Sequence, residues 1–254
     1  MRMLWLPLLI LITGAAQAAT GMVSLSGGSY RPFYSLGVSP QPVKVGPFAL
    51  DIYPVTNADY LSFVKSQAKW RKSKVKPIFA DAQYLSHWRG DLAFDPALAK
   101  SPVNHVSWFA AQAYCKSQGK RLPTVDQWEF AARASANKAD ASQDPAFARQ
   151  ILDWYGKPTP ARLPAVGRQR NVHGIYDLHG LVWEWTSDFN SIMITGESRE
   201  DAGGVNRDLY CAGGASAGAD PSNYAAYMRF AFRSSLEARY TVRNLGFRCA
   251  KEKP

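Results

Sequence analysis

The side chains able to carry chemistry in this chain are few. There are three cysteines, Cys115, Cys211 and Cys249, and four histidines, His87, His105, His173 and His179. Three cysteines allow one disulfide and leave one thiol. The histidines have no metal-ligand spacing, so each reads as a satisfied core or surface residue. The run Trp183-Glu184-Trp185 is expected to set its two large rings on opposite faces of an extended segment. One can enter the core while the other faces a groove, and for Trp183 both core packing and groove lining stay open.

The elements that must position these residues are short. Nineteen glycines and sixteen prolines punctuate brief apolar runs, which describes a domain rich in loops and short strands. Three helices are expected. Thr56 or Asn57 can cap Ala58 to Ser66, whose apolar face is Tyr60, Leu61, Phe63 and Val64. Ser107 caps a second from Trp108 to about Gln118, with Gly119 just past its end. A third opens at Thr124, with Gln127 completing a capping box. Ala134 to Ala148 lacks a clear period and reads as an exposed loop.

At the start, Arg2, the apolar run Leu4 to Ile12 and the small-residue site Ala16-Gln17-Ala18 read as a signal peptide over residues 1–18. The run is too short for the roughly 20 apolar residues of a bilayer-spanning helix, and no later segment is long and apolar enough. The mature chain, 19–254, is then one domain of a periplasmic or secreted protein. Net charge is +10, or +9 without Arg2, which favours anionic partners or surfaces and reads as solubility or partner steering. Six basic residues crowd Lys65 to Lys76, read either as a solvated helix end and loop or as a docking patch for an acidic partner. Export argues against nucleic acid as a partner.

Several segments together resemble the sulfatase-modifying-factor, or formylglycine-generating-enzyme-like, family. They are Ser101 to Arg133, Asn171 to Asp188, Cys211 to Ser216 and Arg243 to Ala250, in the family's order, preceded by similar openings at Met22 to Tyr30 and Phe48 to Val64. The resemblance covers nearly the whole mature chain. It implies an α+β fold related to C-type lectin-like domains, loop-rich and with little regular secondary structure. It also implies a disulfide between Cys115 and Cys249, leaving Cys211 as a buried small hydrophobe or a reactive thiol. Asp177, Gly180, Val182 and Glu184 fall where the family's oxidases hold calcium, through two side-chain oxygens and two carbonyls. Leu181 departs from the usual Asn, and the other reading of Glu184 is a salt bridge to an arginine. Lys76 to Trp88 most resembles accessory proteins encoded beside denitrification reductases.

The family's copper oxidases hold a soft monovalent ion with two cysteines between the glycine pair and a downstream arginine. From Gly213 to Arg233 this chain has none, and alignment puts Gly218, Asp220 or Ala225 at those positions. No copper is therefore expected. Arg233 matches the family's arginine, and Tyr224 lies near where an aromatic residue lines the groove, so Trp183, Tyr224 and Arg233 are the groove candidates. The expectation is a monomeric accessory or maturation factor that binds another exported protein or peptide segment. The alternative is an oxidoreductase acting on a protein or peptide-derived substrate through a non-cysteine metal site.

Overall fold

A computed structural model describes residues 21–32, 42–190 and 221–253. The signal-peptide expectation and Cys211 lie outside them. Strand β1 (Met22–Leu25) pairs antiparallel with β4 (Phe48–Asp51), and β4 pairs antiparallel with β7 (Ala250–Glu252), giving the order β1-β4-β7. Every residue of β4 is buried, as a central strand covered on both faces demands. Strands β2 (Gly28–Tyr30) and β3 (Val43–Val45) form an antiparallel pair, and β5 (Trp183–Glu184) and β6 (Leu245–Gly246) a parallel one. Helices and small sheets are joined by long irregular segments, the loop-rich character expected from the punctuation and the α+β class that the resemblance implies.

The expected caps are where the sequence puts them. Thr56 caps α1 (Asn57–Ser66) in a capping box with Asp59, so Asn57 is the first helical residue rather than the cap. Ser107 accepts from the Ala110 N–H at the start of α2 (Trp108–Ser117), and Gly119 takes the positive φ of +65° that a turn off the helix end requires. Thr124 and Gln127 close the box of α3 (Val125–Ala132). The stretch Ala134 to Ala148 is corrected in its last residues. Asp144 caps a helix α4 (Pro145–Tyr155), with Pro145 in the first turn and Ala148 and Ile151 buried. The loop composition before Asp144 masked an apolar face that only begins there. The last helix described is α5 (Pro221–Ser234).

Two main apolar clusters fill the described part of the domain, with a third, small one of Leu163, Leu181 and Val182. Tyr60, Phe63, Tyr114, Trp185 and Phe247 anchor the larger of the main two, and Phe48, Leu50, Trp128, Phe130 and Ile175 the other. Cys115 of α2 and Cys249 are joined by a disulfide, with Cα atoms 5.5 Å apart. Between the clusters lies a buried ion pair. Arg248 donates to Glu184 from Nε (2.8 Å) and Nη2 (2.8 Å), and neither side chain reaches solvent. Arg248 also donates to the carbonyls of Asp51, Ile52 and Tyr176.

The disulfide spans 134 residues, for which loop-closure entropy suggests about 5 kcal/mol less any strain. Cys115→Ser should therefore lower unfolding free energy by a few kcal/mol in denaturant titration, and peptide mapping without reductant should recover Cys115 bound to Cys249. A peptide linking Cys211 to either partner would contradict this assignment.

Candidate functional site

Trp183 sits where α4 and α5 meet. Its ring is stacked between Tyr155 of α4 (centroids 4.6 Å, 21° between planes) and Phe232 of α5 (4.5 Å, 26°), with Trp154 at 5.6 Å. The indole is half-buried, and with these three rings it forms an aromatic wall. Trp185, one pleat on, is fully buried and donates its Nε1–H to the Val106 carbonyl at 2.9 Å. The opposite-face expectation is corrected: residues two apart in an extended segment share a face, and both rings pack with the same apolar cluster, Trp185 deep inside it and Trp183 partly buried at its margin.

Behind the wall, Glu129 of α3 meets two arginines of α5. Arg229 grips it with Nε and Nη2 (2.9 to 3.1 Å), and Arg233 Nη1 reaches Oε1 at 2.6 Å. Burial alone would raise the Glu129 pKa, but the charges and hydrogen bonds of Arg229 and Arg233 outweigh it and hold the carboxyl at about 2. Arg229 Nη1 also donates to the Tyr155 hydroxyl at 3.4 Å, and the Arg233 guanidinium lies 4.9 Å from the Trp128 ring centroid. Arg233 is only 8% exposed, so it serves the inside of the wall rather than reaching out as an open fork. Tyr224 is 38% exposed and stacks with Tyr227. Nine positions from Arg233, it stands about 13 Å further along α5, so the structure does not bring it against Trp183.

Sequence reasoning missed Glu129, Arg229, Tyr155 and Phe232. Arg229 and Arg233 are four apart and share a helix face, and Glu129 is an acid amid the apolar residues of α3, but nothing local pairs them. Of the positions aligned with the copper cysteines, Gly218 and Asp220 lie outside the described residues and Ala225 is a buried methyl of α5.

The histidines read as structural where their rings are engaged. His87 Nε2 faces Asn57 Oδ1 at 3.0 Å and His105 Nδ1 faces the Thr241 carbonyl at 3.2 Å. His179 is 8% exposed, its Nε2 donating to the Ala132 carbonyl (2.9 Å) while its buried Nδ1 has no partner. Burial, aided by the nearby Arg229 charge, lowers its pKa to about 3.

The calcium set is committed within the protein. Asp177, at φ +58°, accepts the N–H groups of Gly167, Arg168 and Gln169, the last two at 2.9 Å. Glu184 gives both oxygens to Arg248, and Oε2 also accepts the Trp128 Nε1–H at 2.8 Å. As folded, these residues do not offer calcium an open carboxylate pair, because the ion would have to share Glu184 with a buried guanidinium. Among the described residues no group of three or more His, Cys, Asp or Glu could hold a metal ion.

Fold and site define a loop-rich α+β domain carrying an aromatic wall braced from behind by a buried Arg–Glu–Arg triad. The chain belongs to the family of the sulfatase-modifying factor enzyme 1-like domain, whose model matches residues 11–253. It is 32% identical to the inactive C-alpha-formylglycine-generating enzyme 2 of Mus musculus, over 90% of this chain and 85% of that one. It is 29% identical to the formylglycine-generating enzyme of Streptomyces coelicolor, over 93% and 90%. The structure of PvdO from Pseudomonas aeruginosa shares the fold with a TM-score of 0.50 at 17% identity, covering 91% of this chain and 94% of that one. Among the described residues no helix is long and apolar enough to cross a membrane.

Two tests follow from the buried charges. Glu184→Gln strands Arg248 and should cost about 3 kcal/mol. The melting temperature of the unaltered chain should not change with a calcium chelator, and a drop on chelation would show that calcium takes Glu184 from Arg248. Acid should act in two steps. His179, with its pKa lowered in the fold, opposes folding as pH falls below its unfolded value of about 6.5 towards 3. Glu129, with its pKa depressed, contributes stability that is full above about 4.5 and lost as pH falls towards 2. Thermal melts from pH 7 to pH 3 should show a falling midpoint that steepens below pH 4.5, and a flat profile would refute the assignment.

Proposed function

We propose that this chain is an exported accessory or maturation factor that binds an extended segment of another exported protein and does not oxidise cysteine with copper. The observation that carries the reading is the cysteine inventory. With Cys115 and Cys249 joined to each other, one thiol, Cys211, is left in the whole chain, and a two-thiolate copper site cannot be assembled from it. The 32% identity to a mouse relative described as inactive is in keeping with this.

Binding needs no redox centre. The wall of Trp154, Trp183 and Phe232 supplies apolar area, and a separate stack of Tyr224 on Tyr227 stands further along α5. Two guanidiniums meet one carboxylate behind the wall, with Asp188 also within the field of Arg233, so the wall offers a segment apolar contact rather than a free charge.

Incubation of the mature chain with copper, oxygen, a thiol reductant and a cysteine peptide of the sulfatase type should give no aldehyde by mass spectrometry. A photo-cross-linking residue at the exposed Tyr224 position, in the protein as exported by cells, should capture one discrete protein partner. Copper-dependent aldehyde, or the absence of any protein adduct from Tyr224, would overturn the proposal.

A further inference from the structure

The basic stretch Lys65 to Lys76 runs directly into an apolar tip. Pro77, Ile78 and Phe79 form a tight turn, closed by the Phe79 N–H on the Lys76 carbonyl at 2.9 Å. Ile78 is 71% exposed and Phe79 39%, while Ala80 beside them is buried. The tip is braced. The Phe79 ring stands edge-on to Phe109 at 5.5 Å and tilted against the buried Trp70 at 5.9 Å, and the Asp81 N–H is tied to the Arg239 carbonyl. Its apolar groups therefore cannot simply fold back out of water.

The surroundings are cationic. Lys65, Lys69, Lys74 and Lys76 are exposed. Arg71 is held at the surface by the carbonyls of Val64 and Lys65, and Lys72 by those of Ser86 and Trp88, so neither charge is neutralised by these contacts. Two acids border the region, Asp91, bonded to the backbone and hydroxyl of Ser73, and Asp81, bonded to the backbone and hydroxyl of Thr241, and they stand against six positive charges.

We propose that this face docks on an anionic phospholipid surface. Ile78 and Phe79 enter the headgroup layer while the lysines reach the lipid phosphates, their long stems lying along the apolar boundary. The same charges would suit an acidic protein, but the composition favours lipid. Lysine is depleted from protein–protein interfaces, and two apolar side chains bury far less than a stable protein interface needs. A small apolar insertion ringed by basic residues is sufficient for reversible adsorption to an anionic bilayer. Adsorption of this kind rests on surface charge and is weakened by salt. This surface is formed by the segment after α1 and is separate in sequence from the wall at Trp183, so the proposal does not depend on the partner reading above.

The test is sedimentation of the full mature chain with vesicles of mixed phosphatidylglycerol and phosphatidylcholine, against phosphatidylcholine alone, at low and high salt. The chain should sediment with the anionic vesicles only, and less at high salt. Lys74→Glu/Lys76→Glu should weaken the apparent affinity by about tenfold or more, and Ile78→Ser severalfold. All three positions are exposed, so both variants should keep the parental melting temperature, which separates lost docking from lost folding. Equal sedimentation with both vesicle types, none with the anionic ones, or no effect of either variant would overturn the proposal. Capture of an acidic polypeptide such as polyglutamate without vesicle binding would assign the face to a protein and overturn it equally.

Discussion

The contact between Glu184 and Arg248 is the constraint on which the fold turns. Moving two such charges out of water costs several kcal/mol each, and mutual attraction offsets this only when every other hydrogen-bonding group is satisfied. Arg248 meets that condition through its three nitrogens, with Glu184 bonded twice and the carbonyls of Asp51, Ile52 and Tyr176 taking the remaining contacts. Five groups from four separated stretches must arrive together, and a shift in any of them strands an N–H in the core. The pair therefore contributes less to net stability than to uniqueness: it admits one relative placement of β4, the Tyr176 turn and β5.

Trp128 carries that placement outward. Its Nε1–H is bonded to Glu184, and its ring lies under the Arg233 guanidinium. One indole thus connects the central ion pair to the triad of Glu129, Arg229 and Arg233, and through Tyr155 to the stack around Trp183. Trp183 is also the residue before Glu184, so the wall is fixed to the core from two directions, by the chain itself and through side chains. An aromatic surface held in this way is preformed, and a bound segment would not have to supply the free energy of ordering it.

The parts of this arrangement legible in the sequence are those whose cause is local. The caps at Thr56, Ser107 and Thr124 need only a hydroxyl and a side chain three residues on, and all three stand where expected. The Cys115–Cys249 pairing was available through motif position rather than through any local rule. Trp183 and Arg233 were identifiable one by one, but their neighbours were not, since Glu129 and Arg229 are 100 positions apart and nothing in either segment announces the other. Start and end of α4 were obscured for a different reason. The Ala, Ser and Asp residues before Asp144 suit a loop, and the helix owes its apolar face to residues beyond that stretch. The carboxylates Asp177 and Glu184 were read as a ligand set by resemblance, and their protein donors, up to 64 positions away, lie outside any local window.

The disulfide and the central ion pair share a property that bears on how the chain reaches its native state. Arg248, Cys249 and Ala250 supply the partners of Glu184, Cys115 and strand β4 respectively, and the contact from Arg248 to Asp51 bridges 197 positions. A ribosome or a translocation channel delivers residues in order, so β4 waits without one edge partner, Glu184 without its counter-charge and Cys115 without its sulfur until the segment around 248 has emerged. Contacts of such long range also slow the search for the native topology. Until then the nascent polypeptide presents an open sheet edge and a reactive thiol, the two features most prone to mispairing, and its fidelity depends on what shields them during that interval.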